Sequence, residues 1–298
     1  MAAAAAMALL LLLFTISQFM PLASCSPSNY YCDWCPRHST ASLFPPAAAA
    51  DLNGTDSRCG ACGYDAAMAA ELNGGGHFAA AEFFRDGAGC GTCYQLRCRD
   101  RRVCGDGGVK VVVTDAANRT GFLLTREAFA AMARRGMADQ LLAGALDNVH
   151  VDFRRIPCEY KKNLAVRVEE DGSRSPSHLA VRFLYQAGQT DIAAVEIAQA
   201  ATTNHTVQPS WRAMARLRKG GRVVWRTTRA PAGPLQLRLV VTAGVGGKWL
   251  RAQEAVLPAD WRPGQAYDTG LRVTDVALRT CSRSCRARAG GGNDEELR

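Results

Sequence analysis

Twelve cysteines are the residues of this 298-residue chain best equipped for chemistry. Cys59-x-x-Cys62 and Cys90-x-x-Cys93 have the internal spacing of zinc ligands. The two pairs lie farther apart than a zinc ribbon places them, and the five histidines show no ligand spacing. No metal and no cofactor is expected. Gly74-Gly75-Gly76 before His77 lacks the lysine and hydroxyl residue of a phosphate-binding loop, so it reads as a loop. Among the acids, Asp115 ends the β-branched run Val109-Lys-Val-Val-Val-Thr114, a buried-strand pattern that delivers its carboxylate to a defined place. Asp86, Asp106 and Asp152 read as turn or surface acids.

The elements that position these residues begin with Phe84–Cys98, which carries Cys90, Cys93 and Cys98 within nine residues. Gly87, Gly89 and Gly91 permit a turn there, and Tyr94, Leu96 and Cys98 then alternate with Gln95 and Arg97 as in a half-buried strand. Thr125 can cap a helix running to about Arg135, with Phe129, Met132 and Ala133 as its apolar stripe and Gly136 at its end. Val149, Val151 and Phe153 alternate with polar residues up to Pro157-Cys158, a strand that closes a first domain over residues 59–160. Residues 26–58, punctuated by Pro27, Pro36, Pro45 and Pro46, read as a loose N-terminal arm held by Cys32 and Cys35.

From Leu164 the texture changes. Cysteine vanishes until Cys281, and alternating runs recur at 164–168, 179–185, 192–197, 223–225, 235–241, 249–256 and 271–276, separated by turn signals. Short strands at this spacing indicate an all-β sandwich over residues 161–280. Residues 281–298, with Cys285 and Gly290-Gly291-Gly292, read as a disordered tail.

Residues 1–25 carry the apolar run Ala8–Phe14 followed by small residues, the pattern of a signal peptide although a basic first segment is lacking. No later stretch is apolar enough for a membrane helix, so the mature form is expected to be secreted and free of membrane. Export favours disulfides over metal for the cysteines. Cleavage after Cys25 removes one of the twelve and leaves an odd number. Three acceptor sequons, at Asn53, Asn118 and Asn204, agree with secretion. The formal net charge of +9 reads either as a solvated basic surface, since the charges are scattered, or outside the cell as attraction for acidic polysaccharides, and no nucleic acid is expected as a partner.

The chain resembles the plant expansin superfamily, and within it the expansin-like A branch. The motifs are Cys59-Gly-Ala-Cys62-Gly-Tyr64, Phe84–Cys98, Val113-Thr-Asp115, Ala128-Phe-Ala-Ala-Met-Ala133, Arg154-Arg-Ile-Pro-Cys158, Tyr185-Gln-Ala-Gly188 and Leu257-Pro-Ala-Asp-Trp261. The resemblance implies an all-β fold. A six-stranded double-psi β-barrel, like that of family 45 endoglucanases, precedes an immunoglobulin-like, carbohydrate-binding β-sandwich. It implies a cell-wall protein that loosens glucan contacts without hydrolysis; a monomer is expected, with cellulose or xyloglucan as partners and, through the positive charge, pectin or glucuronoxylan. It also implies the pairs Cys62–Cys90, Cys93–Cys158 and Cys98–Cys104, and leaves Cys32, Cys35, Cys59, Cys281 and Cys285 without assigned partners.

Direct inversion at a glycosidic bond needs two carboxyl groups. Asp115 aligns with one acid of the family's cleft, whereas Leu123 stands at the other and Ala117 replaces a usual aromatic. Asp115 then either caps a turn or hydrogen-bonds sugar hydroxyls in a cleft with Tyr64 beside it. On the sandwich, two usual aromatic positions align with His178 and Gly221. Trp225 and Trp261 read as core, while Trp211 and Trp249, beside Arg212 and Lys248, are candidates for an exposed stacking platform. Two rival readings remain at this stage: a family 45-like endoglucanase, or a wall structural or signalling protein without loosening activity.

Overall fold

A computed structural model of the chain describes residues 37–44, 60–64, 77–117, 121–144, 148–170, 177–186, 188, 190–200, 209–219, 222–242 and 247–273. Residues 1–25, the three sequons, Gly221, Cys32, Cys35, Cys59, Cys281, Cys285 and the tail lie outside the described residues.

Six strands close into a barrel: β1 (Arg37–Leu43), β2 (Phe78–Ala81), β3 (Cys93–Cys98), β4 (Val109–Ala116), β5 (Phe122–Leu124) and β6 (Val149–Ile156). Their order is β1-β5-β2-β4-β3-β6. β1 runs parallel to β5 and β2 parallel to β4, while the remaining neighbours are antiparallel. The interior is filled by Val109, Val111, Val113, Leu96, Leu124 and an aromatic knot of Phe83, Tyr94, Phe122 and Phe153, whose ring centroids lie 5.1–6.0 Å apart. Helix α1 (Arg126–Ala131) begins where Thr125 Oγ1 accepts the amide of Ala128, and it seats Ala128, Phe129 and Met132 in the barrel core. It is shorter than its stripe predicts. The chain turns through Gly136 at φ +83° and enters a second helix, α2 (Ala138–Gly144), which the sequence did not reveal.

The arm assigned to residues 26–58 is corrected by β1, which supplies a barrel wall between β5 and β6. Only Ala41 and Ser42 of this strand are buried, so its sequence lacks the apolar alternation that would announce it.

The second half forms eight strands: β7 (Ala165–Val168), β8 (Leu179–Leu184), β9 (Asp191–Gln199), β10 (Arg212–Lys219), β11 (Arg222–Thr227), β12 (Leu235–Thr242), β13 (Gly247–Arg251) and β14 (Ala266–Asp268), in the order β13-β12-β9-β10-β11-β8-β7-β14. β10 makes the corner: Arg212–Met214 pair with β9, and Ala215–Lys219 pair with β11. The sheet thereby folds over itself, and Val166, Val181 and Phe183 from one layer pack with Val195, Ile197, Leu237 and Leu239 from the other. That is the sandwich expected. Two runs differ from expectation. β13 stops at Arg251, and 271–273 add no strand among the described residues, because Ala266–Asp268 takes the edge beside β7 instead.

Disulfides join Cys62 to Cys90, Cys93 to Cys158 and Cys98 to Cys104, with Cα separations of 5.5, 5.4 and 5.8 Å. The barrel and the sandwich fall within one compact unit, Tyr31–Arg298.

Candidate functional site

On the barrel wall the register places Ser42, Leu123, Ala80 and Asp115 in one row across β1, β5, β2 and β4. Ala79, Ala81, Phe122 and Leu124 face the core, so Ala80 and Leu123 face outward. Simple alternation from Val113 would turn Asp115 inward. The register shift beside Ala79/Ala80 leaves Thr114 as the extra residue and returns Asp115 to the outer face. Leu123 and Asp115 flank Ala80 on its two sides, two strand spacings apart, roughly 9–10 Å between backbones. That spacing suits a pair of carboxyl groups that admit a water between them, about 6.5–9.5 Å apart. One of the two positions is a leucine.

The half-buried Asp115 carboxylate is engaged by the backbone. Its Oδ1 accepts the amides of Ala61 at 2.8 Å and Ala116 at 2.7 Å, which fastens the Gly60–Tyr64 turn to the end of β4. Cys62 N donates to Thr114 O in the same contact, and a side chain at Gly60 would meet that oxygen at 2.7 Å.

Tyr64 requires a correction. It was expected beside Asp115 in an open cleft, yet it is 6% exposed and packed among Cys62, Phe84, Cys90, Leu184 and Val223, where the barrel meets the sandwich. Burial pushes its hydroxyl up to about 12, against the smaller opposing effects of the Arg182 charge and a hydrogen bond with Gln186. No sugar ring can stack on it there. Tyr160, in the same contact, is driven upward for the same reason.

This junction is held by buried charge. Arg155 of β6 is 2% exposed and donates to Gly188 O, Thr190 O and Asp191 Oδ1 of the sandwich at 2.5, 3.2 and 2.7 Å. Arg85, in a left-handed conformation at φ +45°, donates to the other oxygen of Asp191 at 2.7 Å. Arg182 of β8 pairs with Glu169 at 2.5 Å and donates to Cys62 O at 3.3 Å. Gly87 is required at the same seam: its φ is +90°, and an added Cβ would strike Val223 at 2.4 Å.

The outer face of the sandwich carries the second feature. Trp249 on edge strand β13 is 55% exposed, and Trp211 lies half-buried just before β10. Arg238 of β12 stacks on both, its guanidinium carbon 4.4 Å from the Trp211 centroid and 4.6 Å from that of Trp249. Glu196 on β9 accepts from Arg238 at 2.5 Å. Arg251 lies 5.3 Å from the Trp211 centroid. Its Nη2 donates to Gln236 Oε1 at 2.8 Å, and the buried Gln236 is itself anchored to the carbonyls of Ala252 and Gln253. Trp211 and Trp249 therefore share one plate with Arg238. The arginines that hold it were not visible in the sequence, because their convergence depends on pairing between β12 and β13. Trp225, 8% exposed, and Trp261 pack in or against the sandwich core. His178 is half-buried with its Nδ1 enclosed, and it adds no ring to the plate. Among the described residues no cluster of His, Cys, Asp and Glu has the make-up of a metal site.

The family model for the Expansin C-terminal domain matches residues 164–258, the sandwich. Expansin-like A4 of Oryza sativa subsp. japonica is 57% identical over 290 residues, covering 90% of this chain and 89% of that protein. The chain belongs to the expansin family. Within it, the similarity to expansin-like A4 and to Expansin-like A2 of Arabidopsis thaliana places it in the expansin-like A branch. The Arabidopsis protein is 39% identical over 264 residues, covering 86% of this chain and 91% of its own length. The crystal structure of the apo Clavibacter michiganensis expansin matches with a TM-score of 0.55 at 19% identity, covering 80% of this chain and 98% of that one. This likeness supports the two-part fold of an expansin. The chemical features of this chain are a barrel row with one acid and a sandwich plate in which arginine and tryptophan interleave.

Proposed function

We propose that this chain is a secreted plant cell-wall protein that binds wall polysaccharide without cleaving it and loosens non-covalent glucan contacts. The observation that carries the reading is the Trp211–Arg238–Trp249 plate, an exposed aromatic surface on a rigid sheet, where sugar C–H faces stack while hydroxyls stay hydrated. A related solved structure is a Clavibacter michiganensis expansin mutant in complex with cellohexaose, matching with a TM-score of 0.52. Cellulose, xyloglucan, pectin and glucuronoxylan are the polymers to compare. Export rests on the apolar segment within residues 1–25 and on the three disulfides.

Absence of hydrolysis follows from the row on the barrel. Leu123 can neither protonate a leaving oxygen nor activate water, a contribution worth about 10²–10⁴ in rate. Asp115, the acid that remains, spends one oxygen on backbone amides. Asp115 is thus a strut of the Cys62 turn as well as the acid of the barrel row. The test joins two assays on purified protein. Reducing-sugar release from amorphous cellulose, xyloglucan and polygalacturonate should equal the buffer blank, and heat-treated wall strips should creep under load. Release that vanishes in Asp115→Asn would make the protein a hydrolase and sink the reading. Absence of creep would remove loosening and leave binding alone.

A further inference from the structure

The plate carries more positive charge than it neutralises. Arg238 and Arg251 sit directly opposite each other on β12 and β13, an arrangement in which like charges destabilise a strand pair. One carboxylate, Glu196, answers Arg238. Among the described residues no carboxylate lies within ion-pair distance of Arg251, which is exposed and held in place by Gln236 rather than by an acid. Gln236 is 6% exposed and uses its own amide protons on two carbonyls, so the orientation of Arg251 is built from below the surface.

Trp249 and Arg251 project from the same face of β13 two residues apart, about 6.6–7 Å along the strand. A chain lying along this edge meets a ring to stack on and then a guanidinium whose fork matches a carboxylate. We infer that the plate reads a polysaccharide with uronic acid in its backbone, Trp249 stacking a sugar face and Arg251 pairing with the carboxylate of that ring or its neighbour. A neutral glucan satisfies the indole and leaves the guanidinium with water. A uronate carried as a branch holds its carboxylate off the stacking line. Arg251 is the specificity-determining residue, while Arg238, already paired, holds the two indoles in register. The inference rests on the binding reading above and adds to it the class of polymer.

The experiment is affinity electrophoresis of the full-length protein in gels containing polygalacturonate, highly methyl-esterified pectin, glucuronoxylan or hydroxyethyl cellulose, at two salt concentrations. The proteins are the parent, Arg251→Gln, Arg251→Lys, Trp249→Ala and Arg135→Gln. Arg135 is exposed on the barrel and removes the same unit of charge far from the plate in sequence and sheet. Circular dichroism melts confirm that each variant is folded.

Arg251→Gln should weaken polygalacturonate binding about tenfold or more, as expected for loss of a charge-assisted hydrogen bond. Arg251→Lys should fall between it and the parent, having the charge but not the fork. Arg135→Gln should change retention by less than twofold, and the cellulose-ether arm should be indifferent to both arginine changes. Parent binding should drop on methyl-esterified pectin. Equal losses for Arg251→Gln and Arg135→Gln would reduce the effect to net charge and overturn the inference. Glucuronoxylan bound as tightly as polygalacturonate would overturn the backbone-uronate assignment. Trp249→Ala tests the reading beneath: if it leaves every polymer bound as in the parent, the plate is not a binding surface at all.

Discussion

Removing the Asp191 carboxylate should unlock the barrel from the sandwich. Asp191 answers two arginines with different surroundings: Arg155, whose side chain is 2% exposed, and Arg85, whose side chain is 46% exposed. Asp191→Ala takes the carboxylate away from the buried Arg155 guanidinium, whose hydrogen bonds to the Gly188 and Thr190 carbonyls carry no compensating charge. Stranding one member of a buried ion pair costs about 3–5 kcal/mol. Arg85→Ala removes a solvent-screened pair worth about 0–1 kcal/mol. For a folded unit of this size the first change should lower Tm by roughly 6–20 °C and the second by no more than about 4 °C. Arg155→Met with Asp191→Ala should recover part of the loss, since no lone buried charge then remains. The assay is thermal unfolding followed at once by far-ultraviolet circular dichroism and tryptophan fluorescence, on oxidised protein. Four of the five tryptophans, Trp211, Trp225, Trp249 and Trp261, lie in the second half, so with the fifth replaced in every protein, as Trp34→Phe, fluorescence reports the sandwich and dichroism the whole. In Asp191→Ala the two transitions should separate. The reasoning is refuted if Asp191→Ala stays within about 1 kcal/mol of the parent, or if Arg85→Ala costs as much.

Three further outcomes follow from the same contacts. The folded state holds Tyr64 neutral up to about pH 12, whereas the unfolded chain ionises it near 10. The stabilisation is complete below pH 10 and is lost between about 10 and 12, so Tyr64→Phe should flatten the alkaline fall in denaturant midpoint over that window; an unchanged slope refutes it. The disulfides close spans of 65, 28 and 6 residues, for which chain entropy gives about 4.3, 3.6 and 2.2 kcal/mol. Alanine pairs at Cys93/Cys158, Cys62/Cys90 and Cys98/Cys104 should lose stability in that order, and a reversed order in denaturant titrations would count against it. Asp115→Ala should destabilise by about 1–3 kcal/mol, because it strands the amides of Ala61 and Ala116; a neutral effect in the same titration would return Asp115 to a purely surface role.

The parts of the fold that could be read from sequence are those with a constant inward face. Val109–Val113 and Val149–Phe153 alternate into one barrel core, and β8, β9 and β12 do the same in the sandwich. β10 does not: its first three residues belong to one layer and the rest to the other, so no period persists, and among its described side chains only Met214 is buried. β1 hides for a related reason, with proline on its approach and two small residues as its buried content. Tyr64 misled because the motif that marks it says nothing about what covers it. Its burial is created by Leu184 and Val223, more than a hundred residues later.

The site was legible to the depth at which side-chain type decides and no further. Leucine at 123 speaks for itself, but its meaning depends on a row that exists because β5 and β4 both pair with β2 and because Thr114 is displaced by the bulge. Had β4 run without that shift, alternation would have sent Asp115 into the core, and Leu123 would have faced no acid at all. The plate tells the same story from the other side. Trp211 and Trp249 were visible as rings, yet nothing local to either distinguishes a neutral stacking surface from a charged one. That distinction arises where Arg238 and Arg251 meet across β12 and β13, with Glu196 answering Arg238 from β9 on its other side. In both places the chemistry belongs to the register, since a shift of one residue in β4 or β13 would leave the sequence unchanged and abolish the site.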